Sequence, residues 1–289
     1  MLIFMQDKII ASYLWTKTRR IKSADLEWFS QYPDLSFHEW KQVIQNPGLK
    51  HYLQQNQDYY KIAQEELLHL SQKAYRYTYW GQKDYIRTFL DLEHPPLFYI
   101  YKGDLKLLDL LKISVVGSRK PSQAAISWMQ SDFYYYLKSV CPTVVSGAAV
   151  GIDQISHELA VKTGCGIVAV LPSGLEAVYP TSYSRFIEQG YDRSLFLSEY
   201  SINEKMHKHY FHQRNRLIAA LSPYLFIAEA KRRSGSLISA RYAMDLGREI
   251  FVLPSCPTNY QRLGTLDLMY DGANPIRDYE DLRFFTVSR

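Results

Sequence analysis

Six short, unbroken apolar runs dominate the chain beyond residue 110: ISVV (113–116), TVVS (143–146), IVAVL (167–171), LFLSEY (195–200), LFIAEA (225–230) and EIFVLP (249–254). A strand with one face in water alternates apolar and polar residues. A strand that does not alternate is covered on both faces, which is the signature of a parallel sheet. Each parallel neighbour requires a crossover connection, and the segments between these runs are long enough to be crossover helices. The predicted fold is α/β: a Rossmann-like, doubly wound, mostly parallel sheet. Its ligand is expected outside the carboxyl ends of the strands.

The first part of the chain reads differently. Only Gly48, Gly81 and Gly103 of the 14 glycines fall before residue 105, and four of the five tryptophans fall within the first 80 residues. Ser36 and Glu39 form a capping box ahead of FHEWKQVI, a helix that should stop at Asn46-Pro47-Gly48. From Asp58 to Ala74, apolar residues recur at helical spacing: Tyr59, Ile62, Ala63, Leu67, Leu70 and Ala74. The 289 residues suit two domains. These are a small all-helical domain over 1–85 and the Rossmann-like domain over 90–289. The abundant tyrosines either stack on bases or fill the core.

Composition excludes several classes. With 47% hydrophobic and 22% charged residues, the chain is globular and not disordered. A net charge of +5 permits a polyanionic partner without requiring one. Three widely spaced cysteines, Cys141, Cys165 and Cys256, make neither a disulfide framework nor a cysteine zinc site, which suits a reducing compartment. No apolar run approaches the ~18 residues of a membrane span. The apolar start is interrupted by Asp7 and Lys8, and its basic cluster follows the apolar part, so a packed helix is expected there instead of a signal peptide.

The polar motifs fall at the ends of the apolar runs. Gly117-Ser118-Arg119 follows the first, Ser146-Gly147 closes the second, and Ser234-Gly235-Ser236 follows the fifth at a helix start. Glycine lets backbone approach a ligand, and helix N-termini attract anions, so these turns together can form a phosphate-binding ledge. Glycines in such turns also serve packing alone. There is no Walker motif, no G-x-G-x-x-G after a strand and no nucleophile elbow, since Val144 stands where glycine would be needed. Asp153 and His157 lie four apart on one helix, but no third ligand accompanies them, so a capping Asp153 and a packed His157 are expected in place of a metal site. No catalytic constellation and no cofactor motif emerges. A second stretch, residues 205–216, interleaves Lys205, Lys208, Arg214 and Arg216 with Tyr210 and Phe211. That pattern suits single-stranded nucleic acid, in which cations follow the backbone and rings stack on bases. It equally suits a solvated basic loop with Phe211 as a core plug. Lys231-Arg232-Arg233 adds charge before the Ser-Gly-Ser turn and favours a polyanion.

Taken in order, VVGSR (115–119), SGAAVGID with His157 (146–157), AVLPSGLEAVYP (169–180), LSEY (197–200), F-x-x-RNRLIAALS (211–222), EAKRRSGSLISARYA (229–243) and GREIFVLP (247–254) resemble the DNA-processing protein A family, DprA or Smf. The resemblance covers about residues 90–275. It implies a bacterial cytosolic protein that binds incoming single-stranded DNA in natural transformation, protects it and helps load the RecA recombinase. It further implies a homodimer, with no membrane insertion, no enzyme activity and a sterile-alpha-motif-like N-terminal domain. Little chain follows the last motif for the winged-helix domain that some members carry. Transferred by motif, the DNA site would use Gly117, Ser118, Arg119, Ser146, Gly147, Lys208, Phe211, Arg214, Asn215 and Arg216, joined by Ser234, Gly235 and Ser236. The chain departs from the family at Val150, where a basic residue is usual, and at His212, where proline is usual. The alternative is a Rossmann-like protein that binds a nucleotide derivative, or a phosphoribohydrolase-like enzyme. That reading lacks the Pro-Gly-Gly-x-Gly-Thr motif and leaves Glu229 as its one candidate carboxylate, for which a salt bridge to Lys231 or Arg241 is expected.

Overall fold

The structure, a computed structural model, describes residues 10, 12–14, 47–55, 58–73, 75–184, 187 and 191–287. The capping box at Ser36 and the helix after it lie outside these residues. Nine strands form one sheet: β1 (Arg76–Tyr79), β2 (Phe98–Gly103), β3 (Lys112–Val116), β4 (Thr143–Ser146), β5 (Ile167–Val170), β6 (Ser194–Ser198), β7 (Tyr224–Ile227), β8 (Glu249–Val252) and β9 (Asn274–Pro275). Their order is β1-β2-β6-β5-β4-β3-β7-β8-β9. Strands β3 to β9 run parallel, while β2 is antiparallel to β6 and β1 to β2. The six apolar runs are the six inner parallel strands. Two antiparallel strands and the short β9 extend them, and β1 lies within the stretch expected to be helical.

The strands are covered on both faces, as their composition requires. Ile113, Val115, Val144, Ile167, Ala169, Phe196, Phe226 and Phe251 point to one layer. That layer holds α3, continuous from Gln123–Trp128 through the π-turn Met129–Phe133 to Tyr134–Val140, then α4 (Ile152–Thr163) and, near the C-terminus, α8 (Tyr279–Val287). Val116, Val145, Val168, Val170, Leu195, Leu197, Leu225 and Val252 point to the other. There lie α5 (Tyr210–Leu221), α6 (Gly235–Asp245) and α7 (Leu263–Tyr270). Burying each such side chain stabilises the fold by about 1.5–3 kcal/mol.

Ahead of β1, α1 (Pro47–Gln55) begins on proline, which suits a first helical turn, and α2 covers Tyr59–Gln72. Ala63 and Leu70 of α2 are buried in the first layer, with Tyr59 and Leu67 packed against it, whereas Ile62 is 44% exposed. Glu66 accepts from the Tyr13 hydroxyl and, tying α2 to the segment after β6, from the Ile202 amide at 2.7 Å. Tyr13, Tyr99, Tyr136 and Tyr183 are among the largest fully buried side chains, so these tyrosines are core and not base-stacking surface.

The sheet reverses direction at β3. Its crossover through α3 leads to β4 on one side, whereas β7 lies on the other. A doubly wound sheet opens a crevice at the carboxyl ends of the strands flanking such a reversal.

Candidate functional site

A cleft of about 730 Å³ occupies that position. Four segments line it: Val116–Lys120 after β3, Ala149 and Asp153 at the start of α4, Met206 to Asn215 leading into α5, and Lys231 with Ser234 to Ser239 around the start of α6. The loops interlock through backbone. The Ile152 amide donates to the Ser118 carbonyl at 3.2 Å, and the Ser236 hydroxyl donates to the Gly117 carbonyl at 2.9 Å. Gly151 has φ +92°, and a Cβ there would stand 2.3 Å from the Ser118 oxygen. Two non-glycine residues in these turns also adopt left-handed backbone, Ala148 (φ 56°) and Arg233 (φ 59°). Each costs on the order of 1–3 kcal/mol, and such strain tends to gather at functional turns.

Phe211 organises the wall. It is 8% exposed, in the first turn of α5. The Arg119 guanidinium lies 4.5 Å from its ring centre and the Arg214 guanidinium 5.8 Å. The Tyr179 ring meets it edge-on at 6.0 Å. Phe211 is therefore a packed ring, as the core-plug reading expected, and it also forms part of the cleft lining. Around it Arg119, Lys120, Lys208 and Lys231 are exposed, and none forms an ion pair with a carboxylate among the described residues.

Beneath them sits a buried charge cluster. Arg214 is 3% exposed and Asp153 is 5% exposed. Asp153 accepts from the amides of Gly147 at 3.2 Å and Ala149 at 3.4 Å, so it holds the β4–α4 loop. Burial raises the Asp153 carboxyl above its ordinary range, opposed by Arg214 and by those amides. Burial lowers Arg214 to about 10, opposed by Asp153, so the guanidinium stays charged at neutral pH. A Cβ at Gly147 would fall 1.3 Å from Arg214 Nη1: the guanidinium lies flat against backbone that only glycine can offer.

Of the residues expected from the sequence, Gly117, Ser118, Arg119, Lys208, Phe211, Arg214, Asn215, Ser234, Gly235 and Ser236 line this cleft. Three do not. Ser146 is fully buried and donates to the Val115 carbonyl at 2.6 Å, tying β4 to β3. Gly147 lies behind Arg214. Arg216 is turned away from the cleft, because residues two apart on a helix face nearly opposite directions. It makes a bidentate pair with Glu199 at 2.6 Å and donates to the His94 carbonyl at 2.9 Å. Asn215 is a buttress within the lining and donates to the Gly235 carbonyl at 3.1 Å. Val150 is 49% exposed and outside the lining. The sequence reading missed Ser239, which shares the α6 face of Ser236 at i+3 and could have been found from that spacing.

The remaining candidates are structural. His157 is fully buried, its Nδ1 sits 3.1 Å from the Tyr183 hydroxyl, and burial lowers it to about 4. Glu229 is buried outside the cleft lining and accepts from the Ser122 amide at 3.1 Å and hydroxyl at 2.5 Å. Its ion-pair partner is Arg262 at 3.6 Å, not Lys231 or Arg241 as expected. No group of three or more metal-ligating side chains occurs among the described residues, and no described helix is long and apolar enough to cross a membrane.

Comparison with known proteins agrees with this architecture. The model of the family described as DNA recombination-mediator protein A matches residues 76–286. The chain belongs to that family. It is 33% identical to the DNA processing protein DprA of Streptococcus pneumoniae, covering 74% of this chain and 76% of that protein. It is 34% identical to Protein Smf of Synechocystis, covering 67% of this chain and about half, 49%, of that protein's length. The X-ray structure of the S. pneumoniae protein superposes with a TM-score of 0.76 over 97% of this chain and 95% of that one, at 28% identity. A structure of DNA processing protein A from Helicobacter pylori, described by its single-stranded DNA binding mode, matches with a TM-score of 0.65 at 31% identity, covering 74% of this chain and 96% of that one.

Proposed function

We propose that this family member binds single-stranded DNA across the cleft at the β3–β7 reversal. One observation carries the reading: four exposed, unpaired cations, Arg119, Lys120, Lys208 and Lys231, surround an aromatic wall and a helix N-terminus in one crevice. Cations neutralise phosphates and a π-face accepts any base, so the site should bind strands with little regard to sequence. The relative from H. pylori, described as binding single-stranded DNA, supports the assignment. Phe211 lies in the wall of the crevice, which suits bases already unstacked over those held in a duplex.

On this reading Arg119 and Lys208 contact phosphate, and Phe211 supplies the ring for a base. Arg214, Asn215 and Gly147 hold the cleft in shape, while Ser146 and Arg216 fasten the scaffold beneath it. The protein acts as a non-enzymatic recombination mediator in the bacterial cytosol: as a homodimer it protects incoming strands and passes them to RecA. The test is a titration of single- and double-stranded oligonucleotides of equal length at physiological salt. Single strands should bind at least tenfold tighter, and equal affinity for duplex would overturn the assignment. The mediator role is tested separately, by whether the protein speeds RecA filament assembly on strands already covered by a single-strand-binding protein.

A further inference from the structure

We propose that the floor of the cleft is a subsite for a phosphate monoester, the dianionic end group of a nucleotide or of a phosphorylated strand end. This rests on the reading of the cleft as a nucleic-acid site, and it adds a preference for one kind of phosphate.

The observation is a concentration of unused donors. Arg214 is 3% exposed, yet its buried Nε and Nη1 donate to no acceptor among the described residues. Ser239 is fully buried and its hydroxyl has no partner. The hydroxyl of Ser234 is also buried and unpartnered. All three residues line the cleft. Buried polar groups are almost always satisfied, so several unsatisfied ones in a single wall call for a water, an ion or a ligand that completes the bonding. These groups are hydroxyls and a guanidinium, so the missing partner is rich in acceptors.

The position specifies its charge. Ser234 is the N-cap residue of α6, in extended backbone, and makes no side-chain capping bond. The hydroxyl that would ordinarily cap the helix is thus uncommitted among the described residues, and Gly235 and Ser236 of the first turn line the cleft beside it. An eleven-residue helix directs the positive end of its dipole there. Asp153 is the one carboxylate in the lining, and its Oδ2 accepts from the Gly147 and Ala149 amides.

A phosphodiester within a strand offers two non-bridging oxygens and one negative charge, and its chain must leave the pocket in both directions. A monoester offers three such oxygens, carries close to two charges near pH 7 and needs only one exit. The unpaired Nε–H of Arg214 and the hydroxyls of Ser234 and Ser239 match in number the three terminal oxygens of a monoester. The rim cations then guide the attached nucleotides outward past Phe211.

The test compares oligonucleotides of one sequence, about a dozen nucleotides long, carrying a 5′-phosphate, a 3′-phosphate or neither. It also measures the thermal shift produced by a deoxynucleoside 5′-monophosphate against that of the matching nucleoside. One phosphorylated end should bind roughly tenfold tighter than the unmodified strand, as a few charge-assisted bonds allow. The monophosphate, but not the nucleoside, should raise the melting temperature. The double variant Ser234→Ala/Ser239→Ala, which removes only two hydroxyls, should keep the wild-type melting temperature and lose most of the phosphate preference. Equal binding of all three strands, together with no shift from the monophosphate, would overturn the proposal while leaving single-strand binding intact. If no strand binds, the nucleic-acid reading fails, and the monophosphate shift still decides whether the subsite exists: a shift lost in the double variant upholds it, and no shift removes it.

Discussion

Arg119 allows phosphate neutralisation to be separated from folding. It is exposed, stacks 4.5 Å from the Phe211 ring centre and pairs with no described carboxylate, so Arg119→Ala strands no buried charge. The folding cost should be that of one exposed cation–π contact, about 0.5–1 kcal/mol. In a chain of this size such a loss moves the melting temperature by only ~2–4 °C. Binding should change in a different way. A single strand contributes a log–log salt slope of about −0.7 per neutralised phosphate, so Arg119→Ala should flatten the wild-type slope by about 0.7. The consequence is a salt-dependent defect: the affinity lost on mutation should be roughly 3.5-fold greater at ~0.05 M salt than at ~0.3 M. Fluorescence anisotropy of a labelled oligonucleotide over that range, with melting curves on the same samples, measures both quantities. If wild-type and variant lines run parallel, Arg119 does not neutralise a phosphate, however much affinity it contributes.

Four further outcomes are expected. Phe211→Ala should weaken single-strand binding by about 1–3 kcal/mol with an unchanged salt slope, and should also lower the melting temperature because the ring is packed against Arg119 and Arg214. Glu199→Gln leaves the largely buried Arg216 without its carboxylate and should destabilise by roughly 3 kcal/mol while the folded protein binds with its normal salt slope. Gly147→Ala forces a methyl into the Arg214 guanidinium, so calorimetry should show destabilisation and titration a weakened affinity; a neutral result would mean that the guanidinium has room to move. His157 is held near 4 when folded, against 6.5 when unfolded, so the unfolded chain takes up its proton first as pH falls. Its contribution is complete above about 6.5 and lost progressively toward 4, on the order of 3 kcal/mol in total. Denaturation from pH 7 to 4 should show a shallower decline in His157→Asn than in wild type, compared as slopes.

Strand composition alone was enough to place the parallel core. Strands such as IVAV and LFLS carry no polar alternation, which leaves burial on both faces as the sole option and a crossover sheet as its consequence. That sheet directs the Gly117, Ser234 and Lys208 segments to one edge, so most of the cleft lining was legible before any coordinate. The edge strands were not. β1 carries polar residues and sits among helices, and β9 is two residues long; each exists because a neighbouring strand offers it a ladder. Tertiary structure also separated residues that the motif groups together. In Arg214-Asn215-Arg216, one helix sends Arg214 beneath the cleft, Asn215 to the Gly235 carbonyl and Arg216 to Glu199. Glu199 lies just beyond β6, and only the completed sheet brings it beside α5. The same holds for the partner of Glu229, which is Arg262 from the segment before α7 and not a nearby cation. Period and composition determine which faces must be buried, whereas the pairing of charges depends on which distant segments the packed sheet makes adjacent.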